Sequence, residues 1–90
     1  SPAYCFLDQK RLRILRAGIP SEQSNNSDLQ CGTIIEVTKD TFTVRCLNSD
    51  LRIYTVQLPG KNAIGVGDLL NSKPLLFEVG KTFSDDPALE

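Results

Sequence analysis

The sequence predicts an all-β domain with one short helix, curled into a small OB-like Greek-key barrel. Apolar and polar residues alternate in several short runs, which is typical of strands with one buried face. Turns of two to three residues join the central runs, which favours an antiparallel meander. Four or five such strands leave exposed edges unless the sheet curls shut, and curling predicts a barrel. A small SH3-like barrel is the alternative.

Length and composition limit what the chain can be. Ninety residues, 40% hydrophobic and 23% charged, make one ordinary globular domain. No apolar run approaches the ~20 residues of a membrane span, and no signal-peptide pattern opens the chain, so we expect a cytoplasmic protein without a membrane partner. The net charge of -1 disfavours a dedicated nucleic-acid binder but leaves room for a local basic patch.

The ends of the chain look cut. We assign the barrel to residues 1–83 and a flexible polar tail to residues 84–90. Leu89 and Glu90 resemble residues added for expression. The abrupt start at Ser1 suggests a domain removed from a larger protein.

The first strands are short. Residues 3–7 are apolar, and a strand over residues 11–19 follows a polar turn. Because side chains alternate between the two faces of a strand, Leu12 and Ile14 are expected on its inner face. Arg16 would share that face, so we expect a bulge or a strand end that re-aims it.

A polar segment separates these residues from the meander. Residues 20–30 hold mostly Ser, Asn, Gln and acidic side chains, which predicts an exposed, mobile loop. Strands over residues 33–38 and 41–47 follow, joined by a tight turn. Alternation assigns these inner-facing residues: Ile35, Val37, Phe42, Val44 and Cys46.

A long strand, residues 51–57, is the element around which we expect the other strands to assemble. Alternation turns Ile53 and Thr55 inward and Tyr54 and Val56 outward. Pro59 and Gly60 then end the strand, because proline has no amide hydrogen to pair.

The end of the barrel is predicted to hold the helix and a last strand. Ile64, Leu69 and Leu70 stand close to helical spacing, with Asp68 near the positive end of the helix dipole. An extended strand over residues 75–79 is expected after the helix.

Neither a metal site nor a catalytic site is predicted. Cys5, Cys31 and Cys46 lack the paired spacing of zinc ligands, so we interpret them as buried structural thiols in a reducing compartment. The chain has no histidine.

Four segments follow one another in an order and spacing that is more specific than any segment alone. They are residues 10–17 (KRLRILRA), 31–34 (CGTI), 57–61 (QLPGK) and 67–72 (GDLLNS). In this order they resemble the C-terminal domain of methionyl-tRNA formyltransferase and related 10-formyltetrahydrofolate-dependent formyltransferases, over about residues 2–83. Cys31 replaces the usual proline, and Asn62 stands where a second lysine is common, which lowers the charge at that turn.

The resemblance implies an OB-like barrel attached to an N-terminal formyl-transfer catalytic domain. That domain would use 10-formyltetrahydrofolate, whereas no cofactor is expected in this one. Because the chain lacks the histidine that the chemistry needs, the fragment itself is not expected to be catalytic. The implied role is to position initiator tRNA while its methionyl amino group is formylated. Two alternatives stay open: an accessory or structural barrel of a sugar or peptide N-formyltransferase, and a stand-alone oligonucleotide-binding module.

The candidate tRNA-binding residues are cations and one tyrosine. Arginine suits phosphate because its planar fork can donate two hydrogen bonds to one anion, and an exposed tyrosine can stack on a base. The alternative is a solvated face whose cations pair with nearby carboxylates such as Asp8, Glu36, Asp40 or Asp50. The candidates are Lys10, Arg11, Arg13, Arg16, Arg45, Arg52, Tyr54 and Lys61.

Overall fold

Six antiparallel strands and one short helix form the domain in a computed structural model, which describes residues 3–7, 10–23, 28–47 and 49–83. The predicted class, all-β with one short helix, is confirmed. The elements are β1 (Ala3–Leu7), β2 (Lys10–Gly18), β3 (Ile34–Val37), β4 (Phe42–Val44), β5 (Leu51–Gln57), β6 (Ala63–Gly65) and α1 (Val66–Ser72). The predicted tail, residues 84–90, lies outside the described residues.

The sheet has the order β1-β2-β5-β4-β3, and β6 pairs with β5. The predicted meander of β3, β4 and β5 is confirmed. The chain after α1 returns to the free edge of β3, where Gly80 N donates to Ile34 O and Ile34 N donates to Lys81 O, both at 2.8 Å. This pairing covers an edge that would otherwise expose unpaired backbone groups, and it gives the sheet a small barrel-like shape.

One hydrophobic core lies inside the curled sheet. Phe42 stacks on Phe77 with ring centroids 4.1 Å apart, and Phe83 lies 5.7 Å from Phe42. Burying a side chain of this size stabilises a fold by about 1.5–3 kcal/mol, so these rings fasten the C-terminal segment to the sheet. The buried core residues are Leu12, Ile34, Phe42, Val44, Ile53, Val56, Val66, Leu69 and Phe77.

Two bulges offset each other where β2 pairs with β5. Ile14 pairs with Val56 and Arg16 with Thr55, which leaves Leu15 as the extra residue of β2. The bulge predicted near Arg16 is therefore confirmed. Arg16 then pairs with Thr55 and Ala17 with Ile53, so Tyr54 is the extra residue of β5.

The bulge at Tyr54 changes which residues of β5 face the core. Ile53 and Val56 are both buried, at 1% and 0% exposure, although strict alternation places them on opposite faces. The prediction that Val56 points outward is wrong. A bulge adds one residue and shifts the parity of the strand beyond it.

A bulge also corrects the prediction for β3. Ile34 pairs with Val44 and Glu36 with Thr43, which leaves Ile35 as the extra residue. Ile34 is fully buried, whereas Ile35 lies against an outer cavity, so its predicted inward orientation is wrong. Val37 packs against the core as predicted.

The strand β4 is shorter than the predicted strand over residues 41–47, but the residues predicted to face inward do so. Phe42 and Val44 are buried, and Cys46 packs against the core from just beyond the strand.

The C-terminal part differs most from the prediction. Ile64 lies in β6 rather than in the helix, which begins at Val66 after Gly65 at the N-cap. Asp68 does lie in the first helical turn. The strand predicted over residues 75–79 is wrong, because this segment folds into turns between Pro74 and Gly80, a glycine at φ +99°.

The polar loop is tied to the barrel at its start. Gln23 Nε2 donates to Pro20 O at 2.9 Å, and Gln23 Oε1 accepts from Asp50 N at 2.5 Å. Pro20 is buried, while the described residues from 21 to 30 are exposed, in agreement with the predicted exposure. Residues 24–27 lie outside the described residues.

None of the helices that the structure describes combines the length and hydropathy that a membrane crossing requires.

Replacing Phe77 with alanine should remove the anchor of the C-terminal segment. Phe77 is 2% exposed and stacks on Phe42, so we expect Phe77→Ala to lower the free energy of unfolding by about 3–5 kcal/mol. The control is Leu75→Ala, whose side chain is 70% exposed and should change stability by less than ~0.5 kcal/mol. Urea unfolding followed by circular dichroism measures both. Equal effects of the two changes would contradict the anchoring role.

Gly32 should tolerate alanine less well than Gly80. Both have positive φ, +91° and +99°, but a Cβ at Gly32 would lie 2.7 Å from Phe83 O, whereas a Cβ at Gly80 meets nothing within 4 Å. Gly80→Ala should lower the free energy of unfolding by about 1 kcal/mol through backbone strain alone. Gly32→Ala should lower it by at least about 2 kcal/mol, because the Phe83 N to Gly32 O bond must also shift. Urea unfolding followed by circular dichroism measures both variants. Equal losses in the free energy of unfolding would show that the approach of Gly32 to Phe83 O adds no strain.

Candidate nucleic-acid interface

Two arginines converge on the turn that follows β5. Because Leu12 is buried, its neighbours on β2, Arg11 and Arg13, point to the outer face. They line a cavity of about 150 Å³ whose opposite wall is residues 57–60. We call Arg11, Arg13 and residues 57–60 the basic cleft.

Gln57 holds the basic cleft together. Arg13 and Gln57 are directly paired across β2 and β5, and Arg13 Nη1 donates to Gln57 Oε1 at 3.2 Å. Gln57 Nε2 donates in turn to Lys61 O at 2.8 Å. One side chain therefore links the arginine of β2 to the turn that carries Lys61.

Lys61 follows the turn that forms one wall of the basic cleft. Lys61 N donates to Leu58 O at 3.1 Å, and Gly60 between them takes φ +72°, which favours glycine. Lys61 is exposed at the end of this turn. Lys61 lines a different, apolar cavity with Ile64 and Leu69, so only Arg11 and Arg13 among the predicted cations of the described residues line the basic cleft.

Arg16 and Tyr54 form a separate pair. The bulges that make Tyr54 the extra residue of β5 place the Arg16 guanidinium 5.1 Å from the centre of the tyrosine ring, within the range of a cation–π interaction. Gly18 approaches the edge of the same ring, since a Cβ there would lie 3.6 Å from Tyr54 Cε2. A base that stacks on Tyr54 from the side of Arg16 would have to displace or cover the guanidinium.

Arg52 and Arg45 are directed elsewhere. Arg52 Nη2 lies 3.9 Å from Glu36 Oε1, in a pair whose side chains are 37% and 54% exposed. Such a pair contributes about 0–1 kcal/mol. Arg45 Nη1 donates to the carbonyl oxygen of the neighbouring Cys46.

The predicted cations therefore do not form one continuous wall. Arg13 pairs with Gln57 at one end of β5, and Arg52 lies near the other end, opposite Gly18 and Thr43. Lys10 begins β2, but its side chain is outside the described part of the chain. Gln57, which the sequence did not single out, organises the cleft. Its position opposite Arg13 depends on strand register, which the sequence alone does not reveal.

Cys31 precedes β3 and Cys46 follows β4, and neither lines the basic cleft. Cys31 is exposed, which contradicts its predicted burial, and Cys46 is half-buried; both are free thiols. Burial raises the pKa of the Cys46 thiol above its usual range, and the nearby Cys31 adds to the rise. Among the side chains that the structure describes, no three Cys, Asp or Glu are grouped to hold a metal ion. The side chain of Cys5 is not part of that set.

The fold and the basic cleft define a small antiparallel β-domain with arginines gathered at one turn. The chain belongs to the family described as formyl transferase, C-terminal domain, which matches residues 1–74.

Curated relatives agree with this family. A protein of Colwellia psychrerythraea named methionyl-tRNA formyltransferase is 41% identical over 76 residues, which cover 84% of this chain and 22% of that protein. Proteins of the same name from Lactococcus lactis and Malacoplasma penetrans are 33% and 32% identical, over 92% and 77% of this chain and 26% and 21% of their own lengths. The chain thus spans about a fifth to a quarter of these relatives.

The two described thiols should differ in reactivity. Since the thiolate is the reactive form, the raised pKa and partial burial of Cys46 should make it react more slowly with iodoacetamide at pH 8 than the exposed Cys31. Mass spectrometry of the digested protein over time gives the rate at each site. The chain unfolded in urea is the control, in which the difference should vanish. Equal rates in the folded chain would contradict the environment described for Cys46.

Proposed function

We propose that this chain is the non-catalytic, tRNA-positioning domain of an enzyme that formylates the amino group of initiator methionyl-tRNA. The family match and the relatives named methionyl-tRNA formyltransferase support this proposal. The relatives are four to five times longer than the matched part, so formyl transfer would belong to an N-terminal catalytic domain outside this chain. The enzyme would act in the cytoplasm and take the formyl group from 10-formyltetrahydrofolate.

The chain's own residues do not fit the chemistry of formyl transfer. The resemblance assigns that chemistry to an Asn, a His and an Asp, and this chain has no histidine. The basic cleft offers guanidinium groups and an amide, which bind anions but do not accept a proton from an attacking amine. We therefore assign no step of the transfer to this chain, and its contribution is to hold the acceptor.

The observation that carries the proposal is the convergence of Arg11 and Arg13 on the turn after β5. Phosphate oxygens accept charge-assisted hydrogen bonds, and a guanidinium can donate two of them to one phosphate. Gln57 keeps Arg13 in one orientation, so less side-chain freedom is lost when an anion binds. Contacts of this kind set the position of an RNA backbone without reading its sequence.

Because the domain carries a small net negative charge, RNA binding would depend on the basic cleft alone. The net charge of this chain is -1, so the chain does not attract RNA through its total charge. The cleft gathers two cations, Arg11 and Arg13, and Arg52 lies outside it. Binding should therefore be weak in isolation, fall with added salt, and depend on the cleft rather than on the total charge.

Charge reversal in the cleft tests this. Arg11→Glu places a carboxylate beside the expected phosphate, so we expect the affinity for initiator methionyl-tRNA to fall by roughly tenfold at low salt. The salt dependence of binding should also become less steep by about one phosphate contact. Fluorescence anisotropy of labelled tRNA, titrated with the chain at two salt concentrations, measures both quantities.

Lys39→Glu is the matched control. Lys39 is exposed in the turn between β3 and β4, away from the cleft, and its reversal changes the net charge by the same amount. The control should leave affinity within about twofold. If the two reversals weaken binding equally, only total charge matters and the cleft is not the site. If neither does, the domain has a structural role, as in the sugar or peptide N-formyltransferase alternative.

A further inference from the structure

A second, larger cavity lies at the other end of β5 from the basic cleft. It encloses about 280 Å³ between the outer face of β3, β4 and β5 and the start of the polar loop. We call it the Arg52 cavity. The hydrogen bonds that link Gln23 to Pro20 O and Asp50 N hold the loop in place as its wall.

Hydrogen-bond donors at the base of the Arg52 cavity have long contacts or no partner among the described residues. Arg52 Nε is buried and has no hydrogen-bond partner among the residues that the structure describes. Its Nη2 reaches Glu36 Oε1 only at 3.9 Å. The Thr43 hydroxyl, on a residue that is 4% exposed, reaches the same oxygen at 3.5 Å. Because buried polar groups are normally paired, we infer that the weakly held Arg52 side chain turns to meet an acceptor that enters the cavity.

Carboxylates outnumber cations among the exposed groups of the cavity. Glu22 and Glu36 contribute carboxylates, against the guanidinium of Arg52, and the Gln23 amide can donate as well as accept. This excess of negative charge disfavours a phosphate. It favours a neutral ligand that presents several donors next to one acceptor.

Two apolar side chains line the cavity. Ile35 reaches it because the bulge in β3 turns that residue away from the core, and Pro20 forms part of the facing loop. A planar ring can lie against these side chains while its edge meets Glu36 and Arg52. Unstacked bases in single-stranded RNA are recognised in this way, by contact with their faces and hydrogen bonds to their edges.

We propose that the Arg52 cavity binds an unstacked guanine base. The Watson–Crick edge of guanine carries donors at N1 and N2 beside the acceptor O6, which matches a carboxylate beside an arginine donor. Glu36 would accept from N1 and N2, and the Arg52 guanidinium would donate to O6 after a small rotation of its side chain. Adenine, cytosine and uracil each present fewer donors on that edge, so a cavity rich in acceptors should discriminate against them.

This inference rests on the proposed function and gives it a base-reading element. Arg52 and Gln57 are five positions apart on β5, a separation of roughly 17 Å along the strand. One RNA strand can span that distance, with a phosphate in the basic cleft and a base in the Arg52 cavity. The two sites differ in charge because they bind different parts of the nucleotide.

Nucleosides test the cavity without involving phosphate. The isotope-labelled chain is titrated in turn with guanosine, adenosine, cytidine and uridine, and amide chemical shifts are followed by NMR. We expect guanosine to shift the amides of Ile35, Glu36 and Arg52 in a saturable way, with an affinity at least about fivefold above that of the other three. The Glu36→Gln variant, which loses the carboxylate, should weaken guanosine binding by about fivefold or more.

Glu78→Gln is the matched control, since Glu78 is an exposed glutamate outside the cavity, and it should leave guanosine binding unchanged. Equal affinities for the four nucleosides, no saturable shifts at these amides, or equal effects of the two glutamate variants would each overturn the proposal. Arginine amide is titrated in parallel. If it binds the cavity more tightly than guanosine, the site takes a cationic protein side chain and the proposal is wrong.

The outcomes separate this proposal from the proposed function. Guanosine carries no phosphate, so Arg11→Glu should leave its binding unchanged while weakening the binding of tRNA. Absence of guanosine binding together with cleft-dependent tRNA binding refutes the cavity alone. Saturable guanosine binding without cleft-dependent tRNA binding refutes the tRNA-positioning role and leaves a base-binding domain.

Discussion

The pairing of β2 with β5 is the constraint on which the rest of the structure depends. Its two bulges cancel in number, so the strands stay paired from Arg13 opposite Gln57 to Gly18 opposite Arg52. Between the bulges the strands twist more strongly, which helps the sheet curl around its core. The same register decides the chemistry of the outer surface, because it sets Arg13 beside Gln57 and brings Arg16 over Tyr54. A slip of one residue would dissolve both contacts and expose Val56.

Much of this fold could be predicted from alternation alone. Leu12, Phe42, Val44 and Ile53 lie in the core as parity requires, and the short turns gave the correct meander. Parity failed at Ile35 and Val56, and each lies at or just beyond a bulge. A bulge is a property of two paired strands, so one strand read alone does not reveal it. The bulge beside Arg16 was an exception and could be predicted from one strand, because alternation placed a charged side chain on the inner face there.

The C-terminal segment shows a different limit. Residues 75–79 have the apolar composition of a strand, but the free edge of β3 accepts only the short stretch around Lys81 and Thr82. Phe77 then contributes through its ring, stacked on Phe42, rather than through a ladder of hydrogen bonds. Composition indicated that the segment is buried in part, but not the form in which the chain would be buried. The exposure of Cys31 has a similar origin, since it precedes Gly32 in a turn that carries its side chain off the sheet.

The candidate site was predicted residue by residue but not in its arrangement. Eight residues were named, and Arg11 and Arg13 share one cleft, whereas Lys61 and Arg52 line two other cavities. Residue type indicates that a side chain can meet a phosphate, whereas register decides which cations lie together and which are neutralised by a neighbour. In a chain of net charge -1, this separation is what makes a local basic cleft compatible with an acidic surface elsewhere. An RNA strand lying along β5 would meet opposite charges at the two ends, so its phosphates and its bases would each be favoured at only one of them.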